Sequence, residues 1–349
     1  MKIALLTDTH FGIKNDNQTF QKYLNKFFSD VFFPYIDDHD IKTIIHLGDL
    51  VDRRKTINFL TLNNLRKSFI QPSFDRKITT HIIVGNHDVY YKNTNQINAI
   101  NELYGEAPFI WSYEDVITTK FDDLKICFVP WICSENYEES MDGIEESDAQ
   151  IVMGHLEIRG YLLQKGIHSM VGLKRDIFNK FDTVYSGHFH YKSSADNVEY
   201  LGTPYQLMWS DYDCEKGFYI FDTDTRALEF IENPYQLFHK IVYDEDVWYD
   251  IDSFDFEKYK DSYVKVVVKE KPDSYLFDNF LDRLYSVNPS SANILDETEI
   301  FLADDEEVTE AEDTLTILSK YVSNLNVDLD KTVLDGLLRE LYSEAVEIL

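Results

Sequence analysis

The sequence predicts an α/β fold in which β-strands form a sandwich flanked by helices. Apolar, strand-like runs alternate with helical runs from residue 1 to about residue 240. Five of the strand-like runs end directly in carboxylate, imidazole or amide side chains. In a sheet of mostly parallel strands such ends lie along one edge, where α/β folds place their functional sites. We therefore expect these polar groups to converge.

Each of the five runs is short, and a glycine precedes every polar cluster except the first. In chain order they are Ile3–Leu6 before Asp8 and His10, the run from Lys42 before Asp49, Ile82–Val84 before Asn86, His87 and Asp88, Ile151–Met153 before His155, and Val184–Tyr185 before His188 and His190. Helical periodicity predicts helices over Phe20–Phe33 and Phe59–Phe69, and further strands are predicted at Lys125–Val129, Glu199–Leu201 and Phe218–Phe221.

Seven of these polar residues are candidate metal ligands: Asp8, His10, Asp49, Asn86, His155, His188 and His190. Seven ligands suffice for two ions if one carboxylate is shared, and Asp49 is the natural bridge because an anionic carboxylate offsets the repulsion between two cations. Two ions about 3.5–4 Å apart activate water and stabilise the attacking and leaving oxygens of a phosphoester. The four imidazoles favour manganese, iron or zinc over magnesium and calcium.

His87 follows Asn86 in the same tight loop and need not bind metal. It is placed to hydrogen-bond a phosphate oxygen, where it would stabilise developing charge or protonate the departing oxygen. The alternative is that it only buttresses the loop. Asp88 either orients the His87 ring or caps the following turn.

The charge distribution bears on the binding partner. The formal net charge is −30, which argues against a broadly basic nucleic-acid surface. The acidity is concentrated at the end of the chain, where residues 296–349 carry 16 acidic and 3 basic side chains. A local basic run, Arg53, Arg54 and Lys55, follows the Asp49 loop. It either holds a phosphodiester backbone or forms a solvated helix start.

The three cysteines, Cys127, Cys133 and Cys214, show neither a metal-binding spacing nor a disulfide framework. No apolar run approaches membrane-spanning length, and the chain starts without a basic leader. We expect a soluble protein of the cytoplasm with no membrane partner.

Composition divides the chain into four parts. Residues 1–243 carry the alternating pattern and all candidate ligands. Residues 244–295 read as a small βαβ module, with a strand at Tyr263–Lys269, a helix opening after Pro272 and a strand at Ala292–Leu295. Residues 296–313 form an acidic linker. Residues 314–349 contain two amphipathic helices whose apolar faces require a partner.

Five motifs in order carry a family resemblance: DTHFG at Asp8–Gly12, GDLVD at Gly48–Asp52, GNHD at Gly85–Asp88, GH at Gly154–His155 and GHFH at Gly187–His190. They resemble those of the calcineurin-like metallophosphoesterases. The whole order of parts is similar to the SbcD-type nuclease subunits of double-strand-break repair, including the recombination endonuclease subunits of tailed phages. Pro130-Trp131, Tyr200–Pro204 and Lys216–Phe218 support this resemblance.

The resemblance implies a metallophosphoesterase β-sandwich and a division of the ligands between two manganese ions. One ion would be held by Asp8, His10, Asp49 and His190, and the other by Asp49, Asn86, His155 and His188, with His87 catalytic. It further implies 3′-to-5′ exonuclease activity on duplex DNA and endonuclease activity on single strands, in the host cytoplasm if a phage encodes the chain. Residues 244–295 would form a DNA capping domain. Residues 314–349 would dock on an SbcC-type ATPase, as part of a homodimer within a heterotetramer.

Two alternatives stay open. Asp52-Arg53 resembles the phosphatase form of the second motif, so a phosphatase or small-nucleotide phosphodiesterase is the nearest rival. An inactive scaffold subunit is the second. Some relatives carry histidine three residues after the bridging aspartate, whereas this chain has Asp52, which leaves the balance of exonuclease and endonuclease activity open.

Overall fold

The computed structural model describes residues 1–164, 167–244, 251–271, 273–296, Val322, Lys331 and Leu334. The predicted acidic linker and C-terminal helices lie outside the described residues, apart from Asp296 and the last three named. The chain divides into two compact units. The first contains Met1–His239, Glu257–Val264 and Val287–Ser291, and the second contains Lys240–Phe256, Lys265–Ser286 and Ala292–Leu349.

The first unit contains two six-stranded sheets and a short hairpin. The strands of both units, in chain order, are β1 (Lys2–Leu6), β2 (Thr43–His46), β3 (Thr79–Ile83), β4 (Ile110–Tyr113), β5 (Ile117–Phe121), β6 (Leu124–Val129), β7 (Ile151–His155), β8 (Leu162–Gln164), β9 (Ile167–His168), β10 (Thr183–Gly187), β11 (Ser193–Ala195), β12 (Val198–Tyr200), β13 (Gly217–Asp222), β14 (Leu228–Glu232), β15 (Phe238–Asp244), β16 (Tyr263–Glu270) and β17 (Ser291–Asp296). The first sheet has the order β14-β13-β1-β2-β3-β4 and the second the order β11-β12-β10-β7-β6-β5, while β8 and β9 pair in the hairpin.

The central strands of each sheet run parallel. In the first sheet β1, β2, β3 and β4 are parallel neighbours, and in the second β6, β7, β10 and β12 are. The register of β7 and β10 pairs His155 with Gly187, so the residue after Gly187 lies beside His155. Three of the five predicted ligand-bearing strands therefore belong to one sheet and two to the other.

The helices are Ile13–Asp16, Gln18–Phe27, Phe33–Asp38, Phe59–Leu65, Gln71–Asp75, Ala99–Tyr104, Tyr137–Glu146 and Ser274–Ser286. Two π-helical turns, Phe28–Phe32 and Arg66–Ile70, join the helices around them, so both long predicted helices are confirmed and run further than the periodicity indicated. Side-chain caps explain the starts of these two helices. Asn17 accepts from the Thr19 N–H at 2.9 Å, and Asn58 accepts from the Thr61 N–H at 2.8 Å.

The alternation of side chains along β1 shows how the layers pack. Ile3 and Leu5 are buried in the cluster between the two sheets, with Met153 of β7. Ala4 and Leu6 point the other way, into the cluster that the first sheet forms with the N-terminal helices. A third cluster covers the outer face of the second sheet. The predicted α/β sandwich with flanking helices is confirmed.

The second unit contains most of a three-stranded sheet of order β15-β16-β17 and the helix Ser274–Ser286. Phe277 and Phe280 of the helix pack against Tyr243, with ring centroids 4.8 and 5.1 Å apart. The strand, helix and strand between Tyr263 and Asp296 follow one another in the predicted order. Among the described residues, no helix is both long enough and apolar enough to cross a bilayer.

Candidate metal centre

The carboxyl ends of strands from both sheets bring the predicted ligands together. Three groups of side chains place potential ligand atoms within 4.8 Å of one another. They are Asp8, His10 and His190; His10, Asp49 and His87; and Asp49, His155 and His188. Neighbouring groups share a residue, so the predicted ligands form one cluster.

The first part of the cluster centres on two imidazoles. His10 Nε2 lies 3.2 Å from His190 Nε2, and each of these atoms lies 3.8 Å from Asp8 Oδ1. His10 Nε2 is also 3.7 Å from Asp49 Oδ2. These atoms can all face a single cation.

The second part centres on an amide oxygen. Asn86 Oδ1 lies 2.9 Å from both His155 Nε2 and His188 Nδ1. His155 Nε2 is 3.3 Å from Asp49 Oδ2, the same oxygen that approaches His10. Asp49 therefore lies between the two parts, as a bridging carboxylate would.

The ligand set fits divalent cations. Ligand atoms about 2.0–2.2 Å from one ion in roughly octahedral geometry lie about 3 Å from each other, which is the range of the shortest separations here. Imidazole nitrogens, carboxylates and an amide oxygen are all available. The division of the residues between two ions stays a prediction.

Four of the predicted ligands have a left-handed backbone conformation. Asp8, His10, Asp49 and His188 have φ values of 51°, 44°, 55° and 85°. Non-glycine residues rarely adopt positive φ, and each such residue costs on the order of 1–3 kcal/mol. The surrounding packing thus maintains four predicted ligands in unfavourable conformations, as is typical of functional sites.

The glycines before the ligands are required for space, as Gly48 and Gly187 show. Gly48, at φ 96°, has no room for a Cβ because the His155 ring lies against it. A Cβ at Gly187 would collide with Thr7 Oγ1 and the Leu47 carbonyl oxygen. These glycines allow loops from the two sheets to approach closely enough for their ligands to meet.

Hydrogen bonds fix the orientation of several ligands. The Nδ1–H of His155 donates to the Leu47 carbonyl oxygen at 2.8 Å, which leaves Nε2 facing the cluster. Thr7 Oγ1 donates to Asp8 Oδ2 at 2.5 Å. His10 Nδ1 lies 3.3 Å from Asp52 Oδ1, the carboxylate–histidine pairing typical of metal sites.

Burial and neighbouring charges shift the pKa values of the cluster's imidazoles. Burial opposes the charged imidazolium of His155, but Asp49 outweighs it and raises the pKa to about 9. Burial likewise opposes charge on His10, yet Asp52 and Asp49 raise its pKa to about 9. Burial and the charge of His155 lower the pKa of His188 to about 3. A cation could replace the imidazolium charges, with release of protons.

His87 lies at the cluster with its ring oriented by the backbone. Its Nδ1–H donates to the Asp52 carbonyl oxygen at 2.6 Å, and its backbone N–H donates to Asp49 Oδ1 at 2.8 Å. The ring meets the His10 ring edge-on, with centroids 4.9 Å apart. His87 is half-buried and also lies within ligand range of His10 and Asp49. Its catalytic role stays a prediction.

Neither predicted role of Asp88 is observed. Its carboxylate accepts the backbone N–H groups of Gly85 and Asp49 at 2.9 Å and of Val51 at 3.1 Å. The partner that orients His87 is instead the Asp52 carbonyl. Asp88, fully buried, joins the GNHD loop to the Asp49 loop. Burial and the Asp49 charge raise its pKa to about 7.

The three predicted DNA-contact residues follow Asp52 in the chain and differ in their exposure and in their contacts within the chain. Arg53 donates to Asn15 Oδ1 and lies 3.6 Å from Asp16 Oδ2, so its guanidinium is engaged within the chain. Arg54 is half-buried, and Lys55 is exposed. Their contact with a phosphodiester stays a prediction.

Sequence reasoning assigned no role to Lys216. Its Nζ donates to the His190 carbonyl oxygen at 2.9 Å and lies 2.9 Å from Asp211 Oδ1. Both charged side chains are buried, at 4% and 0% exposure. The pair therefore stabilises the GHFH loop through the His190 carbonyl oxygen. The Lys216–Phe218 stretch signalled only a family resemblance.

Comparison with known proteins identifies the protein family. The calcineurin-like phosphoesterase profile matches residues 1–192, and the chain belongs to that family. The family's fold implies divalent metal ions, and the Asp/His cluster is the place that could hold them.

Among individual proteins, exonuclease subunit 1 of Enterobacteria phage T4 is 33% identical over 350 residues, covering 99% of this chain and 100% of that protein. A solved archaeal phosphodiesterase structure covers 67% of this chain and 100% of its own, at 14% identity and a TM-score of 0.32. The predicted resemblance to an SbcD-type phage nuclease is confirmed by the family match and the phage relative.

Proposed function

We propose that the chain is the nuclease subunit of a complex that processes DNA ends, cleaving duplex DNA from 3′ to 5′ and single strands internally. The observation that carries this proposal is the ligand cluster, in which Asp49 lies between two groups and His87 lies beside them. Similarity to a phage exonuclease subunit over nearly the whole chain supports a polynucleotide substrate.

The cluster suits two manganese ions. Four imidazoles, one amide oxygen and two carboxylates give each position a mixed nitrogen and oxygen set, which manganese accepts more readily than magnesium does. When bound, such ions polarise the phosphoryl group and activate water.

His87 would act on the phosphate through its free nitrogen. Because Nδ1–H is used on the Asp52 carbonyl, Nε2 is left for a substrate oxygen. With a second proton on Nε2, as the imidazolium, the ring would stabilise developing negative charge through an Nε2–H hydrogen bond. Transfer of that proton to the departing oxygen would leave the neutral Nδ1–H form of His87. Asp52 keeps the ring in place for either role.

Asp52 also bears on the type of cleavage. Its carboxylate lies 3.3 Å from His10 Nδ1, so it faces a ligand rather than offering a donor to a DNA backbone. A negative group at this position repels phosphate. We therefore propose that guidance of duplex DNA depends on residues 244–295, which would act as a capping domain through Lys265, Lys269 and Lys271.

The assay that tests the proposal uses the full chain, manganese and three substrates: labelled duplex DNA, labelled single-stranded DNA and p-nitrophenyl phosphate. We expect cleavage of both DNAs and little hydrolysis of the monoester. Preferential hydrolysis of p-nitrophenyl phosphate would indicate the phosphatase alternative. No activity on any substrate with both metals bound would indicate an inactive scaffold.

We further propose that residues 314–349 dock on an SbcC-type ATPase within a heterotetramer that contains a homodimer of this chain. The sequence contains no GxxxxGK[ST] motif, so ATP-driven opening of a duplex end requires a partner. Apolar stripes at helical spacing suit docking on a coiled coil.

Truncation after Ala303 should leave manganese-dependent cleavage of single strands unchanged while abolishing co-purification with the ATPase and stimulation by ATP. A truncated chain that still binds the ATPase and responds to ATP would disprove the docking assignment.

A further inference from the structure

A groove of about 910 Å³ runs along the first unit and reaches the ligand cluster. His155 and Trp131 line one part of it, and both lie next to His188. We call this the Trp131 groove. Its volume is within the range of about 300–1,000 Å³ that is usual for small-ligand sites. Whatever occupies it would adjoin a phosphate held at the cluster.

Trp131 is held in a fixed position. Its backbone N–H donates to the Val84 carbonyl oxygen at 2.8 Å, and its own carbonyl oxygen accepts from the side chains of Asn95 at 2.7 Å and Asn136 at 3.0 Å. The indole centroid lies 5.1 Å from the ring of His188. The indole is only half-buried, so part of its surface is available to a ligand.

The lining of the groove favours a flat, uncharged group over a run of phosphates. Ile132, Leu156 and Leu173 contribute apolar surface. Carboxylates outnumber cations along the walls, which include Glu135, Glu138, Glu139 and Glu157 against Arg159 and Lys174. A neutral nucleobase meets no repulsion there, and its exocyclic amino groups can donate to carboxylates.

We infer that the Trp131 groove binds the unpaired nucleobase next to the phosphodiester that is cleaved, with Trp131 as the stacking residue. This rests on the proposed nuclease function and specifies its substrate as a strand whose terminal or flanking base is unstacked. A base in a continuous duplex cannot stack on Trp131, so end fraying or strand opening must precede cleavage. Stacking on an aromatic residue contributes about 5- to 150-fold in affinity per base, judged by alanine substitution.

The test compares Trp131→Ala, Trp131→Phe and the control Trp111→Ala, in which the removed indole is 59% exposed on β4. The substrates are a single-stranded oligonucleotide, a series of the same strand with a single abasic site at successive positions, and a wholly abasic strand. Trp131→Ala should lower kcat/KM on the intact strand about 5- to 150-fold. Cleavage of the abasic strand should be unchanged, and Trp131→Phe should recover most of the loss.

Equal loss on intact and abasic strands, or no loss on either, would overturn the inference. Bound metal is measured in each variant, so that damage to the adjoining His188 is recognised. A second measurement, the quenching of Trp fluorescence by the oligonucleotide in EDTA, does not depend on cleavage. If the chain cleaves no DNA but its fluorescence is quenched, and Trp131→Ala abolishes that quenching, the proposed nuclease function is refuted and the base-binding site is supported. Quenching unaffected by Trp131→Ala would overturn the base site.

Discussion

Replacing Lys216 with methionine should destabilise the protein and loosen the metal centre. Methionine is nearly as long and is apolar, so the change removes the charge with little change in volume. Asp211 would then be a buried, uncompensated carboxylate at 0% exposure, and the His190 carbonyl oxygen would lose its donor. Removing one partner of a buried ion pair typically costs about 3–5 kcal/mol.

Asp211 keeps two backbone partners, which limits the cost. Its Oδ2 accepts the N–H groups of Leu207 at 2.8 Å and of Met208 at 3.2 Å. We therefore expect the free energy of unfolding to fall by about 3–4 kcal/mol, a large part of the 5–15 kcal/mol typical of a domain. Lys216→Met/Asp211→Asn should recover part of this loss, because asparagine keeps an acceptor oxygen and no longer buries a charge.

Urea unfolding followed by circular dichroism measures the change, and isothermal titration with manganese measures the effect on the site through His190. Lys120→Met is the control, since its pair with Asp123 at 3.1 Å is exposed and should contribute less than about 1 kcal/mol. The reasoning is refuted if Lys216→Met changes stability by less than about 1 kcal/mol, or if the double variant is no more stable than the single one.

Two further predictions concern the cluster and the acid limb of stability. Asp49→Ala should lose bound metal and activity together, whereas His87→Ala should keep its metal and lose about 10²- to 10⁴-fold in turnover. Metal analysis of both purified variants tests this difference. Loss of metal from His87→Ala would instead make His87 a ligand. Burial lowers the pKa of His81 to about 4, so the unfolded chain binds its proton first as the pH falls below 6.5. Between pH 7 and pH 5 the free energy of unfolding should therefore drop by about 1–2 kcal/mol more in the wild type than in His81→Phe. Urea unfolding at the two pH values measures both drops. Equal drops would show that protonation of His81 is not the cause.

The sequence by itself determined which side chains could bind metal. Short apolar runs specify strands, and the first polar residues after a strand must emerge at its end. For this reason Asp8, Asp49, Asn86, His155 and His188 could be selected without any structure. The glycines before them were an additional local signal, because close approach of two loops excludes a Cβ.

Only the tertiary structure decided how those strand ends meet. The runs do not encode which sheet each strand joins, since pairing depends on packing between distant parts of the chain. Ile3 and Leu5 face the second sheet while Ala4 and Leu6 face the helices, and this two-sided burial is what places β1 opposite β7.

The partners that orient the ligands were also beyond sequence reasoning. Asp88 bonds to the Asp49 loop 39 residues away, and Lys216 reaches the His190 carbonyl across 26 residues. Asp52 was part of a recognised motif, but the motif did not indicate that its side chain lies beside His10 and that its carbonyl oxygen accepts from His87. Such contacts depend on the exact approach of folded loops, where any buried polar group must find whatever partner lies within reach.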